Sequence, residues 1–311
     1  CWGENIGSNG VTHITSPQVI NSTNYPGLTG TPLKATAGSN FAGTGQFILL
    51  TTDGLFAWGN AGNVISTTIK STNEFDNLTI NSQTDGLPVG IDPVDVKMLQ
   101  ATYQTLVLTT CSGSVYVLSQ VGNARGNGNT GDSNTWYQVT TSDAGNPPLT
   151  NIVAARAIHN TVYALASDNT IWTWGNGSYL GDNNISATRT RATIMSHPNT
   201  SETIKMIGIT GISGAARSYF VVMTNGKLYA LGNNSNRQLG DWTTSERLIW
   251  VRSRYTSTSG PTIDNVKWLS AQEHDASFGS VNVINADSTQ FAWGQNAGPG
   301  MIGSTTDPGY P

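Results

Sequence analysis

The chain has 311 residues, only 11% of them charged, and a formal net charge of −4, whereas ordinary soluble proteins carry about 25% charged residues. Its length suffices to bury a sizeable core. With 15 Lys plus Arg against 19 Asp plus Glu there is no basic stripe, which argues against nucleic acid and against an anionic membrane surface as partner.

Thr, Ser, Asn and Gly supply the polar surface instead, a composition that suits a solvated β-protein outside the cell. No apolar run approaches the roughly 20 residues of a membrane helix, and no leader pattern opens the chain. Cys1 and Cys111 are too few for a disulfide framework. A bridge between them is disfavoured by the geometry a disulfide demands. Cys1 reads as repeat interior rather than as a lipidated terminus, since Cys1-Trp2-Gly3-Glu4-Asn5 already belongs to the pattern below. The chain is expected to be a mature piece of something longer.

In chain order, a short apolar strand ends in a Trp-Gly-Asn-like signature six times: Trp2-Gly3, Trp58-Gly59-Asn60, Leu118-Ser119, Trp174-Gly175-Asn176, Leu231-Gly232-Asn233 and Trp293-Gly294-Gln295. The steps between them are 56, 60, 56, 57 and 62 residues. A step of that length, filled with short strands and no helical pattern, marks a radially repeated sheet.

Three strand-like segments precede each signature. The first pairs apolar residues with a recurrent Lys: Leu33-Lys34, Val96-Lys97-Met98-Leu99, Ile204-Lys205-Met206-Ile207 and Val266-Lys267-Trp268-Leu269, with Asn151-Ile152-Val153 in that slot once. The second is β-branched and apolar, as in Phe47-Ile48-Leu49-Leu50 and Phe220-Val221-Val222-Met223. A two-residue turn signal follows: Asp53-Gly54, Ser112-Gly113, Asp168-Asn169, Asn225-Gly226 and Asp287-Ser288. Such pairs tolerate the positive φ of tight hairpins. The third segment then runs into the signature, so each repeat is a meander closed by a hairpin. Gly/Asn-rich stretches and loops of variable length, such as 77–95 and 183–203, join the repeats.

Leu231-Gly232-Asn233 with Gln238-Leu239-Gly240, an upstream turn and strands ending in Trp-Gly resemble the regulator of chromosome condensation repeat. The segment Ile158-His159-Asn160-Thr161-Val162-Tyr163-Ala164-Leu165 is similar to that family's second-strand signature. The resemblance covers essentially the whole chain and implies a β-propeller of four-stranded blades, seven in the family. The sequence also departs from it. Gln-Leu-Gly is complete once and reduced to Tyr179-Leu180-Gly181 once, and the second-strand His stands at His159, with His274 as a second candidate.

The expected architecture is therefore all-β: one propeller domain over residues 1–311, built of four-stranded antiparallel blades. Six signatures fit either six blades or a fragment of a seven-bladed ring. The fragment is favoured, because a native chain rarely starts at the last residues of a strand.

No constellation carries catalysis. His13, His159, His197 and His274 lack metal-ligand spacing, and regularly spaced Asp for calcium is missing. Gly126-Asn127-Gly128-Asn129-Thr130-Gly131 has no following helix to hold a phosphate. Glu4, Glu74, Glu202, Glu246 and Glu273 share no repeat position, which argues against acid catalysis in a central channel. Six Asn-x-Ser/Thr sites occur, a number that the Asn, Ser and Thr content gives by chance. Catalytic residues, metals and cofactors are all expected to be absent.

Trp2, Trp58, Trp174 and Trp293 sit at the strand end, where packing between blades is expected. Trp172, Trp250 and Trp268 are also read as packing residues. Trp136, Tyr137 and Trp242 fall in loops outside the pattern and, with Arg237, are the candidate contacts for a partner.

The expected function is a non-catalytic binding or structural module of a large secreted or cell-surface protein, an adhesin or surface-filament component. Its partner would be a glycan or a protein, including neighbouring copies, with no nucleic acid and no membrane insertion in this segment. The alternative is a soluble regulatory propeller. The resembled family includes exchange factors for a small GTPase and inhibitors of β-lactamase. It also includes an ultraviolet photoreceptor, whose Trp-rich signature is missing here. Localisation, extracellular or cell-surface against cytosolic or nuclear, separates the two readings.

Overall fold

The computed structural model describes residues 16–17, 19–39, 45–59, 76–78, 83–102, 104–120, 122–131, 135–177, 187–211, 216–271, 273 and 279–295. Trp2, His13, Tyr179, His274 and Cys1 lie outside them, as does the side chain of Trp58. The strands are β1 (Pro32–Ser39), β2 (Gly45–Thr51), β3 (Gly54–Gly59), β4 (Asp76–Asn77), β5 (Val96–Ala101), β6 (Thr105–Thr110), β7 (Val115–Ser119) and β8 (Tyr137–Gln138). They continue as β9 (Ile152–Ile158), β10 (Thr161–Ala166), β11 (Ile171–Gly177), β12 (Ala187–Met195), β13 (Ile204–Gly211), β14 (Arg217–Met223), β15 (Leu228–Gly232) and β16 (Arg247–Arg252). The last are β17 (Val266–Ala271), β18 (Ser280–Asn285) and β19 (Gln290–Gly294).

Among the described residues, consecutive strands pair antiparallel into four four-stranded sheets, β1 to β4, β5 to β8, β9 to β12 and β13 to β16, and one three-stranded sheet, β17 to β19. These are β-propeller blades, as the repeat predicts. The chain divides into two compact units, Cys1–Val153 with Thr190–Ala192, and Ala154–Arg189 with Thr193–Pro311. The division falls inside β9, where the sequence shows no boundary.

Burial follows strand position in the blade. Every residue of the second strands β6, β10 and β14 is buried, which explains their unbroken β-branched and apolar runs: both faces are covered. In the first unit, Ile48, Leu50, Leu55 and Ala57 of one blade pack with Leu106, Leu108 and Leu118 of the next. In the second, Phe220, Val222 and Leu228 pack with Leu269, Val281, Val283 and Trp293. Each such Leu, Ile, Val or Phe side chain contributes about 1.5–3 kcal/mol when removed from water.

The signature has a geometric cause. Gly175, Gly232 and Gly294 have φ of 108°, 115° and 98°. A Cβ on them would meet the carbonyl oxygens of Asn160, Arg217 and Gly279 at 2.1, 2.3 and 2.3 Å. That close approach lets the following N–H, of Asn176, Asn233 and Gln295, donate to the same carbonyl at 3.0, 2.8 and 3.0 Å. Only glycine permits it cheaply. Where Ser119 replaces glycine, its hydroxyl bonds Thr105 Oγ1 at 2.8 Å and donates to the Gln104 carbonyl. The preceding Trp174 and Trp293 are fully buried, as expected. Trp293 Nε1 donates to the carbonyl of Gln238 in the neighbouring blade at 2.7 Å.

The turn pairs differ in type from the two-residue hairpin turns expected. Gly113, Asn169, Gly226 and Ser288 donate to the carbonyls three residues back, of Thr110, Ala166, Met223 and Asn285. Of each pair only the second residue has positive φ: 84°, 76°, 83° and 71° at those four positions. This is a type I turn closed by one left-handed residue. Asn and Ser therefore stand in for Gly, which two left-handed positions in a row would not allow so readily.

A bulge shifts the register of the first strand at Lys97, Lys205 and Lys267, and at Leu33 in β1. Lys34 is thus one place beyond the structural equivalent of the other lysines. The same bulge corrects the packing expectation for Trp268, which is 54% exposed. An extra residue breaks the two-residue alternation, so Lys267 and Trp268 both face out.

Candidate partner-binding loop

The four candidate contacts divide between the two units. Tyr137 and Trp136 belong to the first unit, Arg237 and Trp242 to the second. Trp136 is a core residue, 5% exposed, within the apolar cluster of the first two blades. Its Nε1 donates to the Gly86 carbonyl at 2.8 Å. Its expected role as a surface contact is therefore corrected: a ring just before β8 folds inward over the loop that leads from β4 to β5. Tyr137 opens β8 opposite Val117. The partly exposed ring lies 5.2 Å from the buried Arg125 guanidinium carbon, a cation–π contact.

Arg237 and Trp242 share the loop from β15 to β16, which is tied by one buried amide. Asn234 Nδ2 lies 2.8 Å from Asp241 Oδ1, 2.9 Å from the Thr243 carbonyl and 3.1 Å from the Ser245 carbonyl. Asn234 Oδ1 accepts the Leu239 N–H at 2.9 Å. Only an amide side chain both donates and accepts at this reach, which makes Asn the residue for the position. Asp241 is held in turn by Arg247, whose Nε donates to Oδ2 at 2.7 Å. Ser253 Oγ donates to the Leu239 carbonyl.

On that frame Arg237 (φ 62°) and Trp242 (φ 66°) take left-handed backbone. Trp242 Nε1 donates to the Arg254 carbonyl at 2.9 Å, which pins one edge of a partly exposed ring. Around them Ser235, Thr244, Ser245 and Glu246 are exposed. The loop thus carries a partly exposed guanidinium and indole beside exposed hydroxyls, groups suited to hydrogen bonding and stacking on a partner.

Sequence reasoning missed a second polar centre, at the start of β14. Arg217 is fully buried. It donates to Thr161 Oγ1 at 3.0 Å, the Ala216 carbonyl at 3.0 Å and Asn160 Oδ1 at 3.1 Å. Burial lowers its pKa to about 10, and lowers that of the neighbouring His159 to about 4, with Arg217 adding to the effect. This centre ties β14 to the loop between β9 and β10. His159 is thus a neutral imidazole beside a buried cation. Repeat periodicity carries no signal for Arg217, which occurs in one blade only.

Among the described residues no group of three or more His, Cys, Asp or Glu is placed to hold a metal. No helix among them is long and apolar enough to cross a membrane.

Solved structures similar to this chain include human WBSCR16, with a TM-score of 0.60, 14% identity, and coverage of 89% of this chain and 66% of that one. Prp20p of Saccharomyces cerevisiae, also called yeast RCC1, matches with a TM-score of 0.54 and 15% identity over 80% of this chain and 56% of that one. Prp20p is a protein with binding properties toward Gsp1p and histones. The chain spans just under two thirds of the first of these structures and little over half of the second. No family model and no curated protein matches the sequence. At such identities the likeness is one of fold: an RCC1-like β-propeller.

Proposed function

We propose that this RCC1-like β-propeller is a non-catalytic module that binds a protein or glycan partner, and that it works in a large secreted or cell-surface protein. The observation that carries the reading is the Asn234-tied loop, whose hydrogen bonds fix the backbone that carries Arg237 and Trp242. Preorganised loops on a rigid ring lose little entropy on binding. The low charge and the Thr, Ser and Asn surface support an extracellular setting. The likeness to Prp20p supports the alternative, a soluble regulatory propeller with a protein partner.

Localisation and binding test the two readings together. An antibody against the chain should stain intact source cells, and staining only after permeabilisation would overturn the surface reading. The isolated chain should bind a component of a glycan array or the proteins exposed on those cells. That binding should fall at least about tenfold in Trp242→Ala and Arg237→Asn. Binding unchanged by both substitutions would remove the loop from the interface.

A further inference from the structure

In the second unit, the sheet β17 to β19 turns Leu269, Val281, Val283 and Trp293 toward the blade β13 to β16. The alternate residues therefore lie on its other face. The register sets them out as a grid: Trp268, Ile284 and Gln290 stand side by side in one row, and Ser270, Asn282 and Ala292 in the next. Position 282 corresponds in register to Ile48, Val107, Tyr163 and Phe220 of the other blades, and position 290 to Leu55, Val115, Ile171 and Leu228. All eight are buried aliphatic or aromatic residues, whereas Asn282 and Gln290 are exposed amides. Ser270 and Trp268 are exposed beside them. Among the described residues, the side chains of Ser270, Asn282 and Gln290 make no hydrogen bond. A further blade packed here through an apolar face would bury both amides without partners, at the full cost of desolvating them.

We infer that this face is a binding platform for a neutral carbohydrate, with the Trp268 indole stacked on a sugar ring and Ser270, Asn282 and Gln290 hydrogen-bonding its hydroxyls. Sugar hydroxyls both donate and accept, as do the amides and the hydroxyl of the grid. The C–H face of a pyranose is apolar and flat enough to lie on an indole, whose large apolar surface is otherwise left in water. The bulge in β17 makes the platform: without it Lys267 would stand opposite Ile284, and with it Trp268 does. None of the six side chains in the grid is charged, which suits a neutral ligand and offers an acidic peptide or a nucleic acid no counter-charge there. Size points the same way. Two strand spacings by one two-residue step make a patch of about 10 Å by 7 Å. Such a patch holds one or two sugar rings and falls far short of the roughly 800 Å² that a stable protein contact takes from each partner.

The inference concerns a different face from the Asn234-tied loop and stands without it. The test is NMR of the nitrogen-15-labelled whole chain, with the Trp268 indole N–H signal identified by its loss in Trp268→Phe. Cellohexaose, maltohexaose and mannohexaose are each titrated into the millimolar range. At least one should shift the Trp268 signal saturably and leave the Trp242 signal in place. Asn282→Val combined with Gln290→Leu, which restores residues of the kind the other blades carry, should raise the dissociation constant at least about tenfold. Both positions are exposed, so the thermal midpoint should not fall. Trp242→Ala should leave the titration unchanged, so the two proposals fail separately. The inference is overturned if none of the three sugars moves the signal, or if the double variant binds as the wild type does. A Trp268 signal that shifts on dilution without sugar would assign the face to a second copy. One that a soluble paramagnetic agent leaves sharp would assign it to a segment of the chain itself, and either outcome also overturns the inference.

Discussion

The side-chain oxygen of Asn169 accepts the backbone N–H of Ile204 at 2.7 Å. Elsewhere the same link between consecutive blades is made by backbone alone: Ile152 donates to the Gly113 carbonyl at 3.0 Å and Val266 to the Gly226 carbonyl at 2.9 Å. Asn169 thus lends an amide where its counterparts use a carbonyl. Its Nδ2 also reaches the Glu202 carbonyl at 3.0 Å and His197 Nε2 at 2.9 Å.

Replacing Asn169 should separate the two duties of the residue. Asn169→Ala loses the link and puts at φ 76° a residue that tolerates left-handed backbone less well than Asn, for a cost of about 2–3 kcal/mol. Asn169→Gly keeps the left-handed backbone and should cost only about 1 kcal/mol. Urea midpoints give the order. Equal losses would mean that the link, rather than backbone conformation, sets the stability.

Trp136 should matter for stability and not for partner binding. Trp136→Ala is expected to cost about 3–5 kcal/mol through the cavity it opens. Trp136→Phe, which keeps much of the volume but abandons the Gly86 carbonyl, should cost about 1–3 kcal/mol. Calorimetry measures both, and a partner-affinity change in a variant that remains folded would restore Trp136 as a contact.

Acid should unfold the chain partly through His159. Its folded pKa of about 4 lies below the ordinary 6.5. The unfolded chain therefore takes up a proton that the folded chain refuses. This contribution is complete above the unfolded value and is lost as the pH falls from 6.5 toward about 4, by up to about 3 kcal/mol. His159→Asn, which also tolerates the φ of 51° at this position, should flatten that part of the profile. An unchanged difference between pH 7 and pH 4.5 in the variant would assign the acid lability to carboxylates such as Glu202. Its pKa is lowered by the hydrogen bond from Lys227, a shift that also removes stability on acidification.

Asn234→Asp is nearly isosteric and should still be damaging. It replaces a donor by an acceptor facing Asp241 Oδ1 and the carbonyls of Thr243 and Ser245. A loss of at least about 2 kcal/mol is expected. The Leu239 amide, which donates to the Asn234 oxygen, should then lose protection from hydrogen exchange. Retained protection would show that the loop does not depend on this amide.

Much of the fold was legible in the chain because it repeats. The signature spacing located the blades, and the Asp-Gly, Asn-Gly and Asp-Ser pairs located turns whose second residue does take positive φ. The fourth strands were not legible individually, since β4 and β8 have two residues, β12 nine and β16 six. They carry no shared pattern and are held by long-range pairing, so only the family resemblance implied them. Trp136 misled for the same reason: outside the repeat, neighbouring residues alone do not tell an inward ring from an outward one. The loop carrying Arg237 and Trp242 was recognisable from its Leu-Gly-Asn and Gln-Leu-Gly runs, though its dependence on Asn234 was not.

The link that Asn169, Gly113 and Gly226 provide has a consequence for how this chain tolerates change. Successive blades are aligned by a turn gripping the first residue of the next inner strand, so the length of the segment that physically connects them does not set the alignment. The stretch from β8 to β9 and the stretch from β12 to β13 differ in length, yet each arrives at the same kind of grip. Insertions there amount to added slack and leave the position of the next strand unaltered. Exposed stretches within them, such as 144–146 and 200–201, are accordingly the places where new sequence is accepted with the blades left in step.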